Sequence, residues 1–89
     1  PQTLQFGFGV GKQPAPEYPW QAARDGQEGI VKVEFSVAEN GRVSSARAAE
    51  PSAWTLLNEA AVRTVRQRWK FSAGKLRTYE VAIRFELAK

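Results

Sequence analysis

Cysteine, histidine and methionine are all absent from this chain of 89 residues. The missing cysteine and histidine remove thiolate nucleophiles, Ser-His-Asp and Cys-His arrangements, and zinc sites built from nitrogen and sulfur ligands. A disulfide-stapled scaffold is excluded too, so the domain must stand on its apolar core, although oxidising and reducing compartments both remain open. No apolar run approaches the roughly 18 residues of a membrane-spanning helix. Carboxylates are present, but Glu34, Glu39, Glu80 and Glu86 are scattered over positions read as solvent-facing. No glycine-rich phosphate loop with its lysine precedes a helix. These absences argue against an enzyme and leave no catalytic residue, metal ligand or cofactor to nominate. The chain opens Pro1-Gln2-Thr3 and reads as an excised or processed piece.

What is present is ordinary in amount and uneven in distribution. The hydrophobic fraction is 43% and the charged fraction 25%, near the averages of globular domains. The length suits one domain with a modest core. The formal net charge is +4. Between Glu59 and Glu80 lie Arg63, Arg66, Arg68, Lys70, Lys75 and Arg77, with no acid among them. Such a stripe is either a solvated helix face or a surface for phosphates, an anionic membrane or an acidic segment.

Residues 1–16 read as a flexible or strand-like arm, ahead of a domain over 17–89. Phe6-Gly7-Phe8-Gly9-Val10-Gly11 alternates apolar residues with glycine, a period-two pattern that is weak as a strand alone. It is read either as a linker or as a segment, residues 4–11, that docks on the last strand of its own or a neighbouring domain. Pro14-Ala15-Pro16 favours extended backbone.

Residues 18–24 suit a short helix with Pro19 in its first turn. Residues 30–38 then alternate, with Val31, Val33, Phe35 and Val37 on one face and Lys32, Glu34 and Ser36 on the other, as in a strand buried on one side. Asn40-Gly41 signals a hairpin in which both residues take positive φ. The return strand is expected over 42–49. A helix follows over 53–69, capped by Ser52 or Thr55, with Leu57, Ala60, Ala61, Val65 and Trp69 as its apolar stripe. Residues 76–87 form the clearest strand, placing Tyr79, Val81, Ile83, Phe85 and Leu87 on one face. Trp69 and Phe71 read as core, and Trp20 and Trp54 as core or interface aromatics.

The order is α-β-β-α-β. These elements bury their apolar faces together as an α+β fold: a three-stranded antiparallel sheet with a short N-terminal helix and one long helix packed on one face. If the last strand pairs with the first, the long helix is a right-handed crossover and the last strand lies at a sheet edge.

At this level of detail the chain resembles the C-terminal domain family of TonB, the periplasmic energy transducer of Gram-negative bacteria. The resemblance rests on Tyr18-Pro19 before Ala22-Ala23 and on Glu28-Gly29-Ile30-Val31 opening the first strand. It continues through Gly41-Arg42-Val43 closing the hairpin, the helix residues Leu57, Ala60-Ala61, Val65 and Arg66 with Trp69 and Phe71, and the alternating run from Val81 to Leu87. Departures are Glu50-Pro51-Ser52 where the family has a serine-glycine element, Asn58 where an aspartate is common, and Ser72 where a proline is common.

The resemblance implies a non-catalytic module in the periplasm, the C-terminal part of an inner-membrane-anchored protein. It implies that the module binds the TonB box peptide of an outer-membrane TonB-dependent transporter, with an inner-membrane motor complex engaged through an N-terminal anchor, in siderophore-iron uptake and related transport. An edge strand leaves backbone groups that an incoming peptide can satisfy by strand addition. The expected partner-binding residues are therefore Arg77, Thr78, Tyr79, Glu80, Val81, Ala82, Ile83 and Arg84, with Tyr18 and Pro19 beside them. Tyr18 and Pro19 have a structural alternative, stapling and starting the helix, and Arg77, Glu80 and Arg84 one as guards against aggregation. Self-association through the last strand or the arm is a further expectation. A TolA-like or peptidoglycan-facing envelope domain is the neighbouring alternative. A basic nucleic-acid-binding module is the alternative from another class; it predicts steep salt dependence, and no nucleic acid is expected.

Overall fold

The computed structural model describes residues 2–3 and 11–88. Its elements in chain order are β1 (Gln2–Thr3), β2 (Gly11–Lys12), α1 (Trp20–Arg24), β3 (Gly29–Val37), β4 (Val43–Glu50), α2 (Thr55–Arg68), β5 (Lys70–Phe71) and β6 (Arg77–Phe85). β3 is central, antiparallel to β4 on one side and to β6 on the other. This is the expected three-stranded antiparallel sheet with its helices. The β3–β6 register runs unbroken from Gly29 opposite Phe85 to Val37 opposite Arg77. β4 is displaced from a regular ladder at two places, between Lys32 and Val33 and between Ser36 and Val37.

Alternation decides which face is covered. Val31, Val33, Phe35 and Val37 of β3 and Val81, Ile83 and Phe85 of β6 are buried, as are Leu57, Ala60, Ala61 and Val65 of α2. Their neighbours on the strands face outward because successive side chains alternate. The alanines of α2 leave room for close approach to the sheet, and Thr64 is buried beside them. One end of the core is aromatic: Phe35 meets Trp69 edge-on at 5.6 Å and lies 5.7 Å from both Phe71 and Tyr79. At the other end Tyr18 meets Phe85 edge-on at 5.4 Å.

The opposite face of the sheet is polar. The Lys32 ammonium stands 3.0 Å from the Glu50 carboxylate on β4 and 3.9 Å from Glu80 on β6, so one side chain joins all three strands. Arg47 pairs with Glu34 at 3.1 Å, and the Ser36 and Thr78 hydroxyls lie 3.2 Å apart. Exposed pairs of this kind contribute little each but favour one register over a slipped one.

Three local details differ from the expectation. The hairpin turn has positive φ at Gly41 alone, not at Asn40. The Gly41 amide donates to Ala38 O, and the Ala38 amide to Arg42 O, the pattern of a type I turn closed by a left-handed glycine in a bulge. The helix α2 begins at Thr55 with Trp54 in the capping position, and no side chain caps it there. Ser52 instead turns on itself, its Oγ accepting from the Trp54 amide at 3.1 Å, and is held by Asn58. The third difference is an added strand at the β6 edge.

Candidate functional site

β6 has nine residues, and on its β3 side all of them are in register. Its other side is only partly occupied. β1 runs parallel to it, with Gln2 opposite Tyr79 and Thr3 opposite Glu80. Among the described residues, no strand pairs with residues 81–85 on that side. The last strand is thus an edge over its C-terminal half and an inner strand at Tyr79 and Glu80. This corrects the simple edge expected above, since Gln2–Thr3 adds a strand beside Tyr79 and Glu80.

Each nominated side chain has a definite place. Arg77 folds back, its guanidinium donating to Lys75 O at 2.9 Å and to Ser72 O. Thr78 faces Ser36 across the strands. Tyr79 turns inward and stacks on Phe71 at 5.7 Å. Glu80 lies between Lys32 and the Thr3 hydroxyl, which donates to it at 3.4 Å. Val81 and Ile83 are in the core, whereas Ala82 and Arg84 are exposed. Arg84 reaches Glu86 at 3.7 Å. An incoming strand at residues 81–85 would therefore meet backbone, with Ala82 and Arg84 as the outward neighbours.

A groove of about 310 Å³ lies beside that unpaired stretch, lined by Ala15, Pro16 and Tyr18 on one side and by residues 82–86 on the other. Tyr18 forms its wall from a fixed position. Its hydroxyl donates to the Gln27 carbonyl and its ring packs on Phe85. Burial, with the nearby Glu28 carboxylate, holds its pKa above the ordinary value of 10.0. Pro19 does not line the groove; it occupies the position before α1 at φ −58°, and its carbonyl accepts from the Ala23 amide at 2.9 Å. The structure thus brings Tyr18 to the edge and gives Pro19 the helix start.

The arm is fixed at a second point. Gly11–Lys12 pairs antiparallel with β5, the Gln13 side chain donates to Lys70 O at 2.8 Å, and the Trp69 indole donates to Pro14 O at 2.8 Å. The expected docking of residues 4–11 on the last strand falls mostly on residues 4–10, outside the described residues. Gly11 pairs with Phe71 rather than with β6, while residues 2–3 do lie on β6.

The helical part of the basic stripe, Arg63, Arg66 and Arg68, lies elsewhere. β4 and β6 flank β3 on opposite sides, and Arg63 and Arg66 rim a separate groove of about 450 Å³ between α2 and β4, floored by Ala48 and Val62. Trp69 is buried, whereas Trp20 and Trp54 are 68% and 42% exposed. The Arg24 guanidinium sits 5.0 Å from the Trp20 ring. Trp54 donates to Glu28 O at 3.1 Å, so it ties the start of β3 to the start of α2. No helix among the described residues is long and apolar enough to cross a membrane.

Residues 14–87 match the family described as the Gram-negative bacterial TonB protein C-terminal. The chain is 35% identical over 72 residues to Protein TonB of Yersinia enterocolitica and 40% identical over 62 residues to Protein tonB2 of Pseudomonas aeruginosa. These alignments cover 81% and 70% of this chain but only 28% and 23% of the relatives, so the chain spans about a quarter of their length. Among solved structures, the solution structure of the Pseudomonas aeruginosa TonB C-terminal domain superposes with a TM-score of 0.77 at 23% identity, covering 96% of this chain and 94% of that one. The Helicobacter pylori TonB C-terminal domain superposes with a TM-score of 0.69 at 22% identity, covering 83% of this chain and 71% of that one. At that identity the superpositions speak to the fold.

Proposed function

Because the chain belongs to the family of Gram-negative bacterial TonB C-terminal domains, we propose that it is a periplasmic, non-catalytic peptide-binding module. In this reading it takes up an extended TonB box segment of an outer-membrane transporter by strand addition to β6. The single observation that carries the reading is the half-open β6 edge: among the described residues, no strand pairs with residues 81–85 on the side away from β3, beside a groove walled by Tyr18. Backbone hydrogen bonds to that edge supply much of the affinity, and alternate side chains of the peptide enter the groove and set the register. The nominated binding residues are those from Arg77 to Arg84 with Tyr18, while Pro19 acts through the placement of α1.

The longer protein would then be anchored in the inner membrane and driven by a motor complex there, with siderophore-bound iron among the transported cargoes. Several backbone hydrogen bonds loaded together would carry the pull from module to transporter. The family identity supports the transport-coupling role, and the β6 edge supplies the physical means.

The test is an NMR titration of the isotope-labelled domain with a short transporter-derived box peptide and a scrambled control. Saturable amide shifts centred on residues 79–85, absent with the scramble and only modestly salt-dependent, are expected. Shifts instead confined to Arg63, Arg66 and Arg68, steeply salt-dependent and indifferent to peptide sequence, would replace this reading with a polyanion-binding one.

A further inference from the structure

We propose that residues 2–3 act as an intramolecular strap on the β6 edge, one that a partner strand must displace before it pairs along the whole edge. This inference rests on the strand-addition reading above. The backbone edge of Tyr79 and Glu80 can pair with one strand at a time, and β1 already holds it, in parallel register and with the Thr3 hydroxyl on the Glu80 carboxylate at 3.4 Å.

The strap is weak by itself and effective through its connection. Two residues make few ladder hydrogen bonds, and a short isolated strand is not stable in water. The same chain is fixed again at Gly11–Lys12 on β5 and through Gln13 and Pro14. Attachment through so short a connection holds the strap near the edge at an effective concentration on the order of millimolar. A peptide therefore has to outcompete a tethered segment at Tyr79 and Glu80, whereas among the described residues no strand pairs with the outer side of 81–85. Displacement of the strap then opens Tyr79 and Glu80 to the same partner. The Glu80 carboxylate keeps a partner throughout, because Lys32 stands 3.9 Å away on the neighbouring strand.

Two variants of the chain test this. Gln2→Pro with Thr3→Pro removes both backbone donors of the strap and places no change in the core. In this variant the outward-facing amide of the Tyr79–Glu80 pair is expected to exchange faster with solvent. The box peptide is expected to bind about three- to tenfold more tightly, as the competent fraction rises.

Thr3→Cys with Glu80→Cys does the opposite. These two residues are register partners, adjacent strands lie about 5 Å apart, within disulfide reach, and the chain has no other cysteine. The oxidised form is expected to bind the peptide at least about tenfold more weakly than its own reduced form, by loss of the competent state. Equal affinity in the parent chain, the proline variant and both redox forms would overturn the strap. Should no form bind the peptide, the strand-addition reading falls, and exchange decides the strap alone: acceleration by the prolines keeps β1 on the edge, and unchanged exchange removes it.

Discussion

The carbonyl of Gly41 accepts the Phe71 amide at 2.8 Å, and a Cβ placed on Gly41 would stand 2.1 Å from the Phe71 carbonyl oxygen. The β3–β4 turn and the chain just beyond α2 are therefore pressed backbone to backbone. Glycine is required twice over, by this contact and by a φ of +89°. Gly41→Ala is expected to destabilise the domain by at least about 2 kcal/mol, since the left-handed backbone alone costs roughly 1–2 kcal/mol and the clash is with backbone. Asn40→Ala, at a residue whose φ is not positive, is expected to cost less than about 1 kcal/mol. Urea unfolding of the two variants checks the contrast.

Phe35 joins Trp69, Phe71 and Tyr79 in one cluster. Phe35→Ala should cost about 3–5 kcal/mol, the usual range for a buried phenylalanine, which in so small a domain approaches the whole stability. Tyr79 is only half-buried, and Tyr79→Phe, which keeps the ring stack, should change the unfolding midpoint little. Thermal melts followed by near-ultraviolet circular dichroism read both effects.

Asn58 holds the residue that was expected to cap its helix. Its carbonyl oxygen accepts from the Ser52 amide and hydroxyl, each at 2.8 Å, and its amide nitrogen donates to Ser52 O at 3.1 Å. Asn58→Ala is expected to cost about 1 kcal/mol, as the partly buried Ser52 amide and hydroxyl lose their acceptor. Asn58→Asp preserves both acceptor contacts and loses the donor, so it should lie between Asn58→Ala and the parent. Equal losses for the two variants in chemical denaturation would mean that the acceptor contacts contribute nothing.

Tyr18 and Lys32 give folding an expected dependence on alkaline pH. Both have pKa values raised in the folded state, Tyr18 by burial and then by Glu28, Lys32 by its hydrogen bond to Glu50 and the Glu50 and Glu80 charges against opposing desolvation. A raised pKa means that the folded state holds its proton more tightly. The stabilisation is thus complete below the ordinary values of 10.0 and 10.5 and fades as pH rises through the folded values. Stability should be level from pH 7 to 9 and fall above about pH 10. Tyr18→Phe keeps the ring on Phe85, loses about 1 kcal/mol with the hydrogen bond to Gln27, and shows a shallower alkaline fall.

The residue pattern alone marked α1, β3, β4, α2 and β6 and the buried faces of β3, α2 and β6. From Val31 to Val37 and from Val81 to Phe85 the alternation admits one buried face, and the stripe from Leu57 to Val65 admits one packed face of the helix. That order of elements made the pairing of the last strand with the first a condition, and the folded sheet meets it with β6 in full register on β3. Contacts distant in sequence settled what local pattern does not contain. Asn40-Gly41 signalled a turn, and only the folded chain shows its left-handed residue to be Gly41 alone, with Phe71 against it. Ser52 has the chemistry of a helix cap, but Asn58 claimed it. Thr3 and Glu80, 77 positions apart, meet only because β3 and α2 place the β6 edge where the arm passes. No local pattern links Gln2–Thr3 to Tyr79 and Glu80, and their pairing is a property of the edge they meet in the folded sheet.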